Sequence, residues 1–170
     1  MQTLATRLAE GDESAFAELY DQSADRLYRY IAGRLGSQDA AADVLQEVFL
    51  RAVKSRRHFR KVDSPIAYLF QIARNEAARH HKRAAKRITA IGLTEFAQDN
   101  RSFNGDAEAI AAAVNRLDPE DRELIELKIY SGLTFREIAD VVNRPQATVA
   151  TRYRRALESM RGWLAREFTR

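Results

Sequence analysis

Between Ser131 and Trp163 the chain reads SGLTFREIADVVNRPQATVATRYRRALESMRGW, and the side chains there that can do chemistry are hydroxyls and guanidiniums. On a helical projection Thr148, Thr151, Arg152 and Arg155 gather opposite an apolar stripe of Val149, Tyr153, Ala156, Leu157, Met160 and Leu164. A helix presenting such donors can enter the major groove of DNA. Water alone would also satisfy this face, since arginine clusters on helices are common.

A second set runs through residues 65 to 82. Tyr68, Gln71, Asn75, Arg79 and Lys82 share the outward side of a helix, with Arg74 beside them, while Ile66, Leu69, Phe70, Ala73 and Ala77 form its buried stripe. Single-stranded DNA asks for these types: an aromatic to stack on, amides to read base edges and cations for phosphates. A merely solvated face would mix its charges, and this one contains almost no acid. The helix follows the basic run Arg51 to Lys61, in which His58 can add a phosphate contact and Phe59 is either a stacking ring or a core residue. The third set is acidic: Asp43, Gln46 and Glu47 point outward with Arg51, a face suited either to water or to a basic partner.

No set is catalytic. The chain has no Gly-rich phosphate loop, no paired histidine motif and no carboxylate pair in an evident pocket. With no cysteine, and with His80 and His81 adjacent so that they point to different helix faces, neither a metal site nor a cofactor is expected.

These side chains need rigid carriers, and the periodicity predicts helices throughout. Asp12 can cap a first helix in which Phe16, Leu19, Tyr20, Leu27, Tyr30, Ile31 and Leu35 recur at helical spacing, ending near Gly36. A second restarts at Ser37 to Asp39 and buries Ala41, Val44, Leu45, Val48 and Ala52. The third begins at Pro65, with Asp63 or Ser64 as its cap. From Ile88 to Ala113 short apolar runs and turn signals predict a linker, with helicity resuming at Asp106 or soon after. Asp118-Pro119-Glu120-Asp121 starts another helix with acids at its positive end. Thr134 and Glu137 form a capping box for a helix with Phe135, Ile138, Ala139 and Val142 on one side, and Asn143-Arg144-Pro145 turns the chain into the last helix, with Pro145 as its first residue. The expected fold is all-α: a domain over 1–87, a linker over 88–113, and a second small helical domain over 114–170 that ends in a helix-turn-helix.

The 170 residues, 45% apolar and 31% charged, have a soluble globular composition. The net charge of +4 hides four blocks: −5 over residues 1–50, +10 over 51–87, −5 over 88–144 and +4 over 145–170. Two basic blocks between acidic ones suggest two contacts with a polyanion and leave the acidic segments for a protein partner. No segment approaches a membrane span, so no membrane insertion is expected. The first residues, MQTLATRLAEGDES, lack a leader pattern, which predicts a cytoplasmic protein.

With both halves in view, the chain resembles the extracytoplasmic-function (ECF) type of bacterial RNA polymerase sigma factor, within the sigma-70 family. Asp43-Val-Leu-Gln-Glu-Val-Phe-Leu-Arg51 is similar to the family's core-polymerase-binding helix, and Ala67-Tyr-Leu-Phe-Gln-Ile-Ala-Arg-Asn75 to its helix for the minus-ten promoter element. Leu117-Asp-Pro-Glu-Asp-Arg122, Gly132-Leu-Thr-Phe-Arg-Glu-Ile-Ala139, and Thr148-Val149 with Ala156-Leu157 are similar to the domain that reads the minus-thirty-five element. The resemblance implies a protein without enzymatic activity that directs core RNA polymerase to promoter DNA, helps to melt it, and can answer to an anti-sigma factor. It implies that Asp43, Gln46 and Glu47 face the polymerase, and that Arg56, Arg57, His58, Phe59, Arg60 and Lys61 form the loop capturing a flipped minus-ten base. Asn75 would meet the unstacked strand. On the recognition helix Ala150, Thr151, Arg154 and Arg155 would approach base edges, with Thr148 and Arg152 nearer phosphates.

Three positions depart from the family pattern. Tyr68 replaces a common tryptophan, Arg79 a common aspartate, and Ala150 a frequent basic residue, so a promoter sequence cannot be carried over. Two other readings are a helix-turn-helix transcriptional regulator and a sigma-like mimic that sequesters an anti-sigma factor. A response regulator would need a parallel α/β receiver domain, against the helical periodicity of residues 1–87. A mimic predicts degraded basic faces, and both are intact.

Overall fold

The structure, a computed structural model, describes residues 2–91 and 105–169. The chain divides into two compact units, Met1–Asp99 and Asn100–Arg170. Among the described residues there is no strand.

The first unit comprises α1 (Leu4–Glu10), α2 (Glu13–Leu35), α3 (Gln38–Lys54), a 3-10 turn over Arg56–Lys61 and α4 (Pro65–Ile91). Asp12 caps α2 as its position predicts, its carboxylate accepting from the Ser14 N–H at 2.9 Å and the Ala15 N–H at 3.4 Å. Gly36 ends the helix in the left-handed region, at φ 65°, where a Cβ would be strained. Ser37 caps α3, and of the two cap candidates for α4 it is Ser64 that accepts from the Ala67 N–H, at 3.2 Å. Leu19, Leu27 and Ile31 of α2, Val48 of α3, and Leu69 and Phe70 of α4 are completely buried where the three helices meet. Each such side chain contributes about 1.5–3 kcal/mol relative to an exposed one.

Two features differ from the expected pattern. Leu4–Glu10 is helical, capped by Thr3 and closed by Gly11 at φ 86°. It packs on the basic turn Arg56–Lys61, and its seven residues are too few for a periodicity to stand out. The expected linker also overlaps helix at both ends. α4 continues to Ile91, past the expected end of the first domain, whereas α5 (Asp106–Arg116) begins where helicity is expected to resume, with Ala113 and Val114 in the core of the second unit. Residues 92–104 of that linker lie outside the described residues.

In the second unit α5 is followed by α6 (Pro119–Ile125), which runs on into a π-helical turn over Glu126–Tyr130, and then by α7 (Phe135–Val142) and α8 (Gln146–Phe168). Arg122 of α6 donates to the carbonyls of Val114, Asn115 and Leu117 at 3.3, 2.7 and 3.2 Å, satisfying the open end of α5. The capping box forms as its spacing predicts: Thr134 Oγ1 accepts from the Glu137 N–H at 3.2 Å, and the Glu137 carboxylate accepts from the Thr134 N–H at 2.8 Å. Asn143 makes the turn in the left-handed region, at φ 53°. Pro145 precedes α8 by one residue rather than opening it, because its ψ of 141° is extended. The core joins Ala113, Val114 and Leu117 to Ile125, Ala156 and Met160.

Candidate nucleic-acid interface

The basic turn is anchored by its aromatics. Phe59 is completely buried, its ring edge-on to Phe16 at 6.0 Å and to Tyr68 at 5.2 Å. This corrects the expectation that Phe59 belongs to the DNA-contacting set: the ring closes the core beneath the turn. Arg56, Arg57, His58, Arg60 and Lys61 are exposed around it. Arg60 lies 3.9 Å from Glu10 of α1. A Cβ at Gly11 would stand 3.2 Å from Nε of Arg56, so α1 backs the turn closely. Tyr68 is half-buried, with the His58 ring at 4.7 Å and its hydroxyl 3.0 Å from Ser55 Oγ at the end of α3.

Along α4, Asn75, Arg79 and Lys82 are exposed and Gln71 is half-buried, so the face expected to meet a single strand does reach the surface. It is not free of acid. Glu76 lies among these residues, buried at 6% exposure, with Oε1 2.7 Å from Nε of Arg51 and 2.8 Å from an Arg79 guanidinium nitrogen. Its spacing of three from Arg79 was the available signal; its pairing with α3 was not legible along the chain. Tyr68, Asn75, Glu76 and Arg79 line a cavity of about 370 Å³ shared with Arg51 and Lys54 of α3. His81 is a tie rather than a ligand, its Nε2 standing 2.8 Å from the carbonyl oxygen of Arg34. Among the described residues no group of His, Asp or Glu could hold a metal.

On α3, Asp43 and Gln46 are exposed, whereas Glu47 is partly buried and pairs with Arg51 at 3.0 Å. Arg51 therefore points toward α4 rather than outward. Beside Gln46 runs an apolar groove of about 410 Å³ lined by Tyr20, Leu45, Phe49, Leu50 and Val53. That groove was hidden in the sequence, because Leu50 and Val53 look like ordinary off-stripe residues.

In the second unit Thr148, Thr151, Arg154 and Arg155 are exposed along α8, and Ala150 is half-buried. Arg152 is not available to phosphate as the resemblance implied. Its guanidinium lies 2.7 Å from Asp121 and 3.4 Å from Asp118 and hydrogen-bonds Glu120, Asp118 being the N-cap of α6 and the other two in its first turn. Those hydrogen bonds, Glu120's foremost, raise the pKa of Arg152. The Asp121 N–H holds the Asp118 carboxyl low, while burial pushes Asp121 up. Arg144, in the turn, approaches Glu120 at 3.6 Å. Phe135 of α7 meets Tyr153 of α8 edge-on at 5.3 Å, fixing the two helices of the motif together.

Comparison with known proteins agrees with this division. The family model of sigma-70 region 2 matches residues 19–87, and that of sigma-70 region 4 matches residues 107–160. The ECF RNA polymerase sigma factor BldN of Streptomyces coelicolor is 32% identical over 94% of this chain, which spans 64% of BldN's length. The ECF RNA polymerase sigma factor SigK of Mycolicibacterium vanbaalenii is 25% identical over 95% of this chain and 87% of its own. Among solved structures, CnrH in complex with the cytosolic domain of CnrY has the same fold, with a TM-score of 0.67 at 23% identity and 95% of each chain covered. The two matched regions take in most of the chain in their expected order, and the chain belongs to the sigma-70 family of RNA polymerase sigma factors, in its extracytoplasmic-function branch.

Proposed function

We propose that the protein is an alternative sigma factor that works in the cytoplasm, directing core RNA polymerase to a particular set of promoters and helping to open them. It supplies specificity and melting, and performs no bond chemistry. One observation carries the reading: each unit presents its own donor-rich surface, the turn and α4 in the first, α8 in the second, on the regions matched to sigma-70 regions 2 and 4. In this reading Arg56, Arg57, His58, Arg60, Lys61, Tyr68, Gln71, Asn75 and Lys82 meet the minus-ten strand. Thr148, Ala150, Thr151, Arg154 and Arg155 meet the minus-thirty-five duplex. Asp43 and Gln46 with the neighbouring groove meet core polymerase. CnrH and the sigma factor RpoE of Bartonella quintana were solved with CnrY and with the anti-sigma factor NepR, so control by an anti-sigma factor belongs to the same proposal.

The test begins at α3. Glu47 is held by Arg51 and is left alone; Asp43→Arg with Gln46→Arg places two cations on the exposed face. Unfavourable charge contacts at an interface cost several kcal/mol, enough to lower affinity by roughly a hundredfold or more. The variant should lose co-purification with core polymerase and keep its helical circular dichroism spectrum. Undiminished binding would remove this face from the interface. For the DNA side, Asn75→Ala should weaken transcription from a duplex promoter more than from one already melted at the minus-ten element.

A further inference from the structure

On a face built for a polyanion, Glu76 is the side chain that fits least. It is a carboxylate, nearly all of it is out of water, and it borders the cavity between α3 and α4. Burying a carboxylate is strongly unfavourable unless cations and hydrogen bonds compensate. Two guanidiniums do so through the same oxygen: Arg51 from α3 at 2.7 Å and Arg79 from the next turn of α4 at 2.8 Å. A tie between two helices needs only one cation. Arg51 also pairs with Glu47 at 3.0 Å, so the second cation balances the second acid, and Lys54 gives the cavity its surplus positive charge; Arg79 remains 51% exposed at the rim beside Asn75.

We propose that Glu76 is a positioning residue for strand capture, holding Arg51 and Arg79 against the cavity walls so that an unstacked nucleotide can enter between Tyr68 and Asn75. The inference rests on the reading of α4 as the single-strand face. Without the carboxylate Arg51 keeps its pair with Glu47, while Arg79 loses its tie, is repelled by Arg51 and is released on a long, flexible stem. It can then swing into the space the base must occupy or out into solvent. With it, the cavity is at once positively charged and open. Its volume of about 370 Å³ falls in the range of small-ligand sites.

The experiment uses holoenzyme reconstituted from the full chain and core polymerase, on duplex promoters carrying the fluorescent base aminopurine at successive minus-ten positions of the displaced strand. The unsubstituted protein should give a strong unstacking signal at one captured position. Glu76→Gln keeps the shape and removes the charge. Loss of the charge-assisted hydrogen bond from Arg79 and of the ion pair with Arg51 should slow the signal about tenfold or more, with holoenzyme assembly retained. Glu76→Gln with Arg79→Gln removes the repulsion as well, and should recover the melting temperature without recovering the signal. This pair carries the test if the single variant folds poorly. Recovery of both properties, or an unchanged signal in Glu76→Gln, overturns the proposal and leaves Glu76 a structural tie. Asn75→Ala, run in parallel, separates the two levels. If it alone dims the signal, only the role of Glu76 fails; if neither variant does, the reading of α4 fails with it.

Discussion

Arg152 and Arg155 lie three residues apart on α8, yet their surroundings assign them opposite work. Arg155 is exposed, whereas Arg152 ties α8 to three carboxylates at the start of α6, its cap Asp118 included. If Arg155 reaches a guanine edge, its bidentate hydrogen bonds discriminate by about 1–3 kcal/mol. Arg155→Ala should therefore flatten promoter preference at one or two minus-thirty-five positions, read by transcription from a library randomised across that element. Arg152→Ala should leave the profile intact and lower the melting temperature, by about 1 kcal/mol of stability, since it leaves Asp118 and the part-buried Asp121 together without their cation. A changed profile with unchanged melting would reverse the assignment. Helical projection could not separate these arginines, because the acids that hold Arg152 lie 31 to 34 residues earlier in the chain. Phe59 shows the same limit: stacking ring and core residue are one letter in the sequence, and only the positions of Phe16 and Tyr68 decide.

Caps are the part of the elements that local sequence dictates most directly. Asp12, Ser37 and Thr134 each cap the helix that their spacing predicts. The apolar stripes of α2, α3 and α4 were legible too, except that Tyr20 of the α2 stripe is 49% exposed and lines the groove beside Gln46. The charged stretch beyond Lys82, Arg83 to Arg87, was not legible, since α4 continues there with little apolar periodicity and is carried mainly by the helix propensity of alanine, lysine and arginine. The cap at Asp12 also sets a pH dependence. The Ser14 hydroxyl and then the Arg7 guanidinium hold its carboxyl down to about 2, against an ordinary value of 3.8. A carboxyl whose pKa is lower in the folded state contributes stability that is complete above its unfolded pKa and is lost as pH falls through the folded one. Asp12→Asn should therefore destabilise the protein at neutral pH. Its acid-unfolding curve, followed by circular dichroism, should converge with that of the unsubstituted chain as pH falls from about 4 toward 2. A gap of constant size would show that the cap works without its charge.

Each unit has a core of its own, and the boundaries of those cores can be tested by cutting. A fragment of residues 105–170 keeps α5 and should fold alone. One of residues 114–170 loses most of that helix along with the buried Ala113, and should melt lower, by about 1–3 kcal/mol of stability in thermal denaturation. Equal melting of the two would make α5 dispensable. At this scale the charge blocks read from the sequence also take on a different meaning. Glu76 between its arginines, and the acids of α6 around Arg152, are counterions carried within the covalent chain. A cation already neutralised in this way does not neutralise a phosphate and so does not release the salt ion condensed there, and duplex affinity falls with added salt only as steeply as the number of ions released. The 28 lysines and arginines of the chain thus overstate its dependence on ionic strength. Built-in counterions leave promoter engagement less exposed to changes in the salt of the surrounding medium than the formal charge alone would suggest.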